Sequence, residues 1–487
     1  MGSNPTPSVC APLLLAWRRS LTDPFGFSSG SVLHFIGIGG IGMSALAMAA
    51  HDCGYTVQGS DTSTSLMVQT LLDRGIQVMP DHRTDNAHNA DVVIYSNAIK
   101  SNNVELQSAI AAGKLVLRRT ELLSKALGAK RTIVVSGSHG KTSTTGMLAS
   151  IMEHAGMDPT VFIGGVALSY GNNYKMGTGE WAVVEGDESD AGFTELPCEI
   201  AVVTNLEWEH PDRYSCLEAL ERVFSNFLCN VKVGGAAVIP SRPSFMLGNS
   251  VRCSKITYGL EGGELLVSNT TYMGNATVFD IVGLNGAEVC RGVQLPVLGY
   301  HNVENALAAA AVAKHIGIGC SHIKAGLEGF MGVSRRFEII ANVRGVTFVD
   351  DYAHHPTEIE ASRNAAKIFA TSGRVIGILQ PHRFTRVQHF FKDFASAISK
   401  FDYLILTDVY PAGEEVISGC ESQDIVREVK SLGFDQVVHA STPDTIANIV
   451  ASVAGPGDVV VAMGAGSITS MIRSISNAYM AQRSVRC

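Results

Sequence analysis

The chain is poor in charge. Only 17% of its 487 residues are Asp, Glu, Lys or Arg, and acids outnumber bases for a formal net charge of -8. No broad basic field is therefore available to neutralise a nucleic-acid backbone, which excludes a general nucleic-acid binder. Small anions can still be held locally by backbone N–H groups and a few cations. The ten cysteines run from Cys10 to Cys487 with no C-x-x-C pair among them. That spacing argues against a zinc site or disulfide framework and for reduced thiols in an intracellular compartment. No apolar run reaches the length of a membrane span. The short run Leu13-Leu14-Leu15-Ala16 is followed, not preceded, by Arg18 and Arg19, the wrong order for a secretory signal. A short-period solenoid repeat is absent as well.

Glycine is plentiful, at 49 residues, much of it in short clusters beside apolar runs. That pattern suits an α/β protein with tight strand-to-helix turns. The length accommodates about three domains, each with an ordinary core. Before Val32 the chain is rich in Ser and Thr and carries two Arg and a single acid, Asp23. Residues 1–31 read equally as a short organellar transit peptide or as a disordered tail.

Three α/β blocks follow. In 32–129, a strand at 32–36 runs into Gly37-Ile38-Gly39-Gly40-Ile41-Gly42, then a helix over 43–51 and strands at 55–58 and 91–95. In 130–333, a strand at 132–135 precedes Gly137-Ser138-His139-Gly140-Lys141-Thr142 and a helix to His154. Buried strands at 181–184 and 200–203 follow, and an Ala-rich helix spans 305–316. In 334–487, strands at 346–349, 375–379, 403–406 and 459–462 all end in polar residues. Alternation of strands and helices predicts parallel sheets with ligands at the C-terminal strand ends. The expected fold class is α/β with three serial domains: Rossmann-like, P-loop-type, and Rossmann-like again.

Gly37 to Gly42 fits G-x-G-x-x-G, with Asp61 nineteen residues beyond Gly42. Such a loop accepts a diphosphate at a helix N-terminus while the acid bonds a ribose hydroxyl. A dinucleotide and a UDP-sugar satisfy it equally, and a tight turn without ligand remains the bland alternative. The loop at Gly137 is a stronger signal. Its backbone N–H groups and Lys141 suit β- and γ-phosphates, and the Thr142 hydroxyl suits Mg²⁺, although G-x-x-G-K-T is shorter than the usual phosphate-loop spacing. After the strand at 181–184 comes Glu185-Gly186-Asp187-Glu188-Ser189-Asp190. Four acids there could be a solvated loop; beside a phosphate loop they would recruit Mg²⁺. Glu207-Trp208-Glu209-His210-Pro211-Asp212 closes the next strand, and His210 there is a candidate metal ligand.

Taken together, Gly-x-His-Gly-Lys-Thr, Glu-x-Asp-Glu-Ser-Asp, Thr204-Asn205 with Glu209-His210, and His301-Asn302-Val303-Glu304-Asn305-Ala306 resemble the Mur ligases in type, order and spacing. Ser334-Arg335-Arg336-Phe337-Glu338, Asp350-Asp351-Tyr352-Ala353-His354-His355-Pro356-Thr357, Gln380-Pro381-His382-Arg383-Phe384-Thr385-Arg386 and Asp408-Val409-Tyr410-Pro411-Ala412-Gly413-Glu414 are similar to the alanine-adding branch of that family. The likeness covers nearly everything from Val32 onward.

The resemblance implies an ATP- and Mg²⁺-dependent ligase joining L-alanine to the lactyl carboxylate of UDP-N-acetylmuramate in peptidoglycan precursor synthesis. By that resemblance 32–129 binds the UDP-sugar, 130–333 binds ATP, and 334–487 binds the amino acid. Gly39, Gly40, Gly42, Ser60, Asp61 and Ser96 would meet the UDP-sugar. Gly137, Ser138, His139, Gly140, Lys141, Thr142 and Ser143 would hold ATP phosphates, with Thr142, Glu185 and His210 at the metal. Asn302 and Asn305 would lie at the adenine, and Arg336 and Asp351 would reach the nucleotide. His355, Arg383 and Arg386 would frame the amino acid.

Three residues depart from the family pattern: Glu209 stands where an Asp is usual, and Pro411 and Val416 are less typical. Residues 210–231 hold no Lys for the carbamylation used by several sister ligases, which fits the alanine-adding branch. The expected location is the cytoplasm, or the plastid stroma if 1–31 is a transit peptide. Three rivals remain: a sister ligase adding a whole peptide, a nicotinamide-dependent oxidoreductase built on Gly37 to Gly42, and a catalytically silent binding protein. The oxidoreductase leaves Lys141, the acids and His210 without a role.

Overall fold

The computed structural model describes residues 24–128, 130–211, 213–242 and 251–482. The stretch up to residue 23, which carries most of the transit-peptide reading, and Asp212 lie outside the described residues. Two compact units divide the chain, Met1–Lys130 and Arg131–Cys487.

In the first unit, strands β1 (Val32–Ile36), β2 (Thr56–Ser60), β3 (Gln77–Met79), β4 (Val92–Tyr95) and β5 (Leu115–Arg118) lie in the order β3-β2-β1-β4-β5. Every pairing is parallel. Leu33, His34, Phe35 and Ile36 are all buried, as befits a central strand covered on both faces. The strand order reverses beside β1, which sets the crevice at the C-terminal ends of β1 and β4. The glycine loop sits there and enters the helix Ile41–Asp52.

The second unit contains two sheets. The larger is built from β6 (Arg131–Ser136), β7 (Thr160–Ala167), β8 (Asn172–Lys175), β9 (Trp181–Glu185), β10 (Ile200–Val203), β11 (Ala236–Pro240), β12 (Ser254–Gly259), β13 (Leu265–Met273), β14 (Ala276–Gly283) and β15 (Glu288–Leu295). Their order is β15-β14-β13-β12-β11-β10-β6-β9-β7-β8. From β12 to β7 the strands pair in parallel, while β13, β14 and β15 add an antiparallel meander. The sequence reading did not anticipate this meander. Its signal is period-two burial along Ala276–Gly283, where one face packs inward and the other is wetter. Met147, Leu148 and Ile151 of the helix Lys141–His154 share one core with Leu307, Ala310 and Ala311 of the helix Tyr300–His315. Small alanine side chains make the second helix buried on almost every face.

The smaller sheet contains β16 (Glu338–Val343), β17 (Val346–Asp351), β18 (Val375–Leu379), β19 (Tyr403–Leu406), β20 (Val437–His439) and β21 (Val459–Met463), in the order β16-β17-β21-β18-β19-β20. All but the β16–β17 pairing are parallel. Separate apolar clusters cover its two faces. The α/β expectation with three sheets therefore holds.

Two element ends differ from the sequence reading. Strands expected to stop before their first acid continue through Glu185 and through Asp350-Asp351, because ladder bonds are made by main chain whatever the side chain. The Ala-rich helix begins at Tyr300, so Asn302 and Asn305 stand on its first turns. Among the described residues, no helix is long and apolar enough to cross a membrane.

Candidate active site

The phosphate-type loop leaves β6 and enters the helix Lys141–His154. Gly137 has φ +140° and Gly140 has φ +80°. A Cβ at Gly137 would overlap Thr204 Oγ1, and one at Gly140 would overlap Asn305 Oδ1, so both positions require glycine. The segment after β10 pins the loop from the side. Asn205 Oδ1 accepts from the His139 backbone N–H at 2.8 Å, and Thr204 Oγ1 donates to His139 O at 2.6 Å. Ser138 Oγ donates to Glu207 O at 2.8 Å. The loop therefore presents the N-terminus of a buried helix, a natural anion seat.

Lys141 curls over that loop. Its Nζ donates to Gly137 O at 2.7 Å and Ser138 O at 3.0 Å, and pairs with Glu188 Oε2 at 2.8 Å. Burial pulls the lysine pKa down, but Glu188, Asp187 and Glu185 outweigh it and leave the pKa raised. Glu188 is 1% exposed and also lies 3.2 Å from His210 Nε2. Burial likewise lowers His210, and Glu188 more than restores it, so its pKa is raised.

Glu185 has a different set of partners. It accepts from Thr142 Oγ1 at 3.0 Å and from the Gly164 N–H at 2.6 Å. Burial raises its pKa against the opposing pull of Lys141. The expected metal set is thus divided: Thr142 and Glu185 adjoin directly, whereas His210 meets the cluster through Glu188. Glu188 carries the linkage, and the sequence reading singled it out only as one of four neighbouring acids.

In the turn before β16, Arg336 Nη2 stands 3.5 Å from Thr142 Oγ1. Asp351 is buried at the end of β17, and burial pushes its pKa up to about 6. Asn305 packs on Gly140, and Asn302 donates to Leu298 O at 2.9 Å.

The three residues expected at the amino acid separate. Arg386 is buried and pairs with Glu209, with Nη2 at 2.7 Å and Nε at 3.1 Å from Oε1. Arg383 instead faces Glu414 at 3.5 Å. The two guanidiniums therefore have different acid partners. The imidazole bonded to Arg386 is that of His382, with His354 packed beside it. Burial depresses both rings, His382 to about 3 and His354 to about 4, leaving them neutral near pH 7. His355 packs instead on the His139 ring, with centroids 4.9 Å apart.

His139, Glu207 and His355 offer ligand atoms within 4.8 Å of one another. His139 there already lies between two carboxylates, Glu207 at 3.3 Å and Glu358 at 3.1 Å. The grouping is accounted for as an ion-pair cluster.

In the first unit, Asp61 Oδ2 accepts from the Gly39 N–H at 2.8 Å, closing the glycine loop. A Cβ at Gly39 would stand 2.6 Å from Val68, and one at Gly42 would stand 2.8 Å from Arg119 Nη1. Gly40 is the N-cap of the helix Ile41–Asp52, and the Ser96 side chain lies close to Gly37. Ser60 is fully buried, and its hydroxyl donates to Glu105 at 2.6 Å and meets His82 at 3.1 Å. Glu105 also receives His34 and Asn86, a buried hub the sequence reading missed. An acid in an ordinary helical pattern carries no local mark of such a role.

Glycine-shaped loops at the C-terminal ends of parallel strands, with lysine and carboxylates converging on the second, define a phosphate-loop α/β nucleotide enzyme. Models for the Mur ligase family catalytic domain, the Mur ligase middle domain and the Mur ligase glutamate ligase domain match 32–131, 135–313 and 335–466. The chain is 43% identical over 445 residues to the UDP-N-acetylmuramate–L-alanine ligase of Brucella anthropi, covering 90% of this chain and 95% of the relative. For the same-named protein of Mesorhizobium japonicum, identity is 42% over 446 residues, with 90% and 96% covered. The crystal structure of UDP-N-acetylmuramate-alanine ligase from Thermotoga maritima superposes with a TM-score of 0.80 at 28% identity, covering 92% of this chain and 99% of that one. The chain belongs to the Mur ligase family.

Proposed function

We propose that this chain is the ATP-dependent ligase that joins L-alanine to the lactyl carboxylate of UDP-N-acetylmuramate in peptidoglycan precursor synthesis. Support for the substrate pair comes from relatives of that name matching over nine-tenths of the chain. The chemistry is carried by one observation: Lys141 and Glu188 close over a glycine loop whose first helical turn joins Thr142 to Glu185. The same reading assigns 32–129 to the UDP-sugar, 130–333 to ATP and 334–487 to the amino acid.

A carboxylate is a poor electrophile, so amide formation needs activation. The lactyl carboxylate attacks the γ-phosphorus of ATP, giving an acyl phosphate and ADP. The alanine amine then attacks the acyl carbon and phosphate leaves. No side-chain nucleophile is needed, so the chain contributes position and charge. The loop Gly137–Gly140, whose Ser138 and His139 N–H groups are already taken by Asn205, is assigned with the Lys141 ammonium to the triphosphate, and Arg336, just before β16, adds a cation. Thr142 and Glu185 present hard oxygen donors 3.0 Å apart, a set that suits Mg²⁺, with His210 behind Glu188. When bound there, Mg²⁺ supplies further neutralisation of phosphate charge. This reading assigns Arg383, Arg386 and His355 to the alanine carboxylate, with Arg383 and Arg386 exchanging their present acid partners, Glu414 and Glu209, for it. Gly39, Gly40, Gly42, Ser60, Asp61 and Ser96 serve the UDP-sugar.

The test is a substrate matrix. Purified chain with ATP and Mg²⁺ releases ADP and phosphate only when both UDP-N-acetylmuramate and an amino acid are present, and L-alanine outperforms glycine and L-serine. Faster turnover with a tripeptide than with L-alanine would reassign the chain to the peptide-adding sister ligases. A fluorescent fusion of the full chain reads its location, cytoplasm or plastid stroma.

A further inference from the structure

Glu358 occupies an unusual position. It lies on the first turn of the helix Pro356–Ala370, where a carboxylate is commonly solvated, yet its side chain is only 13% exposed. One oxygen, Oε2, accepts from the backbone N–H groups of His354 at 3.0 Å and His355 at 3.3 Å, an ordinary capping role. The other, Oε1, points away from its own helix. It meets His139 Nδ1 in the phosphate loop at 3.1 Å and lies 3.9 Å from Arg336 Nη1.

The far side of His139 completes a ring of contacts. His139 Nε2 stands 3.3 Å from Glu207 Oε2, and Thr357 Oγ1 donates to that same oxygen at 2.8 Å. His139 and Glu207 follow β6 and β10 of the larger sheet, whereas Thr357 and Glu358 lie on the helix that follows β17 of the smaller. Two adjacent residues of one helix thus grip both ends of a Glu207–His139 pair. A bare carboxylate aimed at a phosphate loop would repel a triphosphate. Here it does not face the loop bare, since the His139 ring stands between.

Charge agrees with this geometry. Burial lowers the His139 pKa, but Glu358 and Glu207 overwhelm that effect and raise it to about 10. Burial raises Glu358, while His354, His139 and Arg336 hold it well below the usual carboxylate range. The groups facing His139 are Glu207 and Glu209 after β10 and His355 and Glu358 at the N-terminus of the helix Pro356–Ala370. The contact is therefore an imidazolium between two carboxylates.

We propose that Glu358, with Thr357, is a positioning residue for the ligase reaction: it ties the phosphate loop through His139 to the docking of the helix Pro356–Ala370. This rests on the ligase reading above. Docking of that helix brings Arg336 and the amino-acid side to the nucleotide, so one carboxylate makes loop geometry conditional on the amino-acid face being in place. Productive phosphoryl transfer then depends on the grip, whereas nucleotide binding by Lys141 and the loop amides does not.

A double-mutant cycle tests this on the full chain, once the unmutated enzyme has shown alanine-dependent ADP release. Absence of that release would overturn the ligase reading and not the grip. Glu358→Gln retains an oxygen for the two capping N–H groups and removes the charge facing His139. It is expected to lower kcat roughly ten- to a hundredfold while shifting ADP affinity less than about threefold. His139→Gln is expected to lower kcat similarly, and the double variant no more than about threefold beyond the worse single variant, because both break one contact. Glu360→Gln, whose side chain pairs with Lys400 at the surface, should keep the unmutated rate. Multiplicative loss in the double variant would overturn the proposal, as would unchanged kcat in Glu358→Gln. Should Glu358→Gln unfold, Thr357→Val against Glu207→Gln gives the same cycle across the other end of the grip. There, non-additive loss supports the proposal and multiplicative loss overturns it.

Discussion

Arg386 and Glu209 form an ion pair 2.7 Å long with only 6% and 3% of their side chains exposed. Glu209 ends the segment after β10 of the larger sheet, and Arg386 lies on a short helix beyond β18 of the smaller one. The Glu209 carboxyl is raised by burial but depressed more strongly by Arg386 and His354, so its net shift is downward. Both charges are present at neutral pH, and each depends on the other to offset its desolvation.

Removing one partner should therefore cost far more than shortening it. Glu209→Ala is expected to lower unfolding free energy by about 3–5 kcal/mol, the range for an unpaired buried charge. Glu209→Asp, one methylene shorter, should lose less than half as much. Because the folded pKa of Glu209 is depressed, its contribution is present above the unfolded carboxylate pKa and fades as pH falls through the folded value. Urea denaturation of both variants at pH 7 checks the ordering; equal stability of Glu209→Ala and the unmutated chain would refute it.

Lys141→Ala should abolish alanine-dependent ADP release, by about a thousandfold or more, since it removes the loop's only side-chain ammonium. From sequence alone, stability is expected to hardly change, because a loop lysine is usually exposed. The lysine is instead 14% exposed and paired with the buried Glu188. Thermal unfolding of the variant should drop measurably; Lys141→Arg should recover stability better than turnover.

The proposed metal set, divided in the structure between Thr142–Glu185 and His210–Glu188, makes separate demands on Glu185 and His210. On that proposal, Glu185→Gln is expected to raise the Mg²⁺ concentration for half-maximal rate about tenfold or more, since it would weaken an oxygen donor beside Thr142. His210→Ala should raise it less and should also leave the Glu188 carboxylate without its imidazole partner while Lys141 remains. Mg²⁺ titrations of steady-state turnover decide the order, and a larger effect at His210 would place the imidazole, not Glu185, closest to the ion.

Asp351 supplies a pH test. Its folded pKa, about 6, exceeds the ordinary value of 3.8 because the carboxyl is buried. Between those values the folded chain holds the proton more firmly than the unfolded chain, so stability falls as pH rises through this window. Asp351→Asn removes that titration. The variant should gain stability relative to the unmutated chain at pH 8 by about 3 kcal/mol at most, and show little difference at pH 4. A difference independent of pH would show that Asp351 does not carry the shift.

The linear order of residues determined a good deal here. Glycines at 37, 39, 42, 137 and 140 between apolar runs marked both loops, because backbone at positive φ or in close approach admits little else. Strand alternation with helices identified the parallel sheets and hence the strand ends where both glycine loops lie. These are local rules, acting over one turn or one strand, and sequence spacing expresses them directly. The meander β13–β15 was less legible, since its alternation is weaker than the buried runs of the parallel strands.

Which charge meets which was decided only by the tertiary structure. His139 and Glu358 are 219 residues apart, and Glu209 and Arg386 are 177 apart. No periodicity links such positions; they meet because two sheets present their strand ends to a common space. Adjacency of β6, β9 and β10 within the larger sheet gave Lys141 and His210 to Glu188 but Thr142 to Glu185, and Arg383 and Arg386 took different acid partners. A buried charge takes whichever counter-charge the fold places within reach, since desolvation makes an unpaired one too costly.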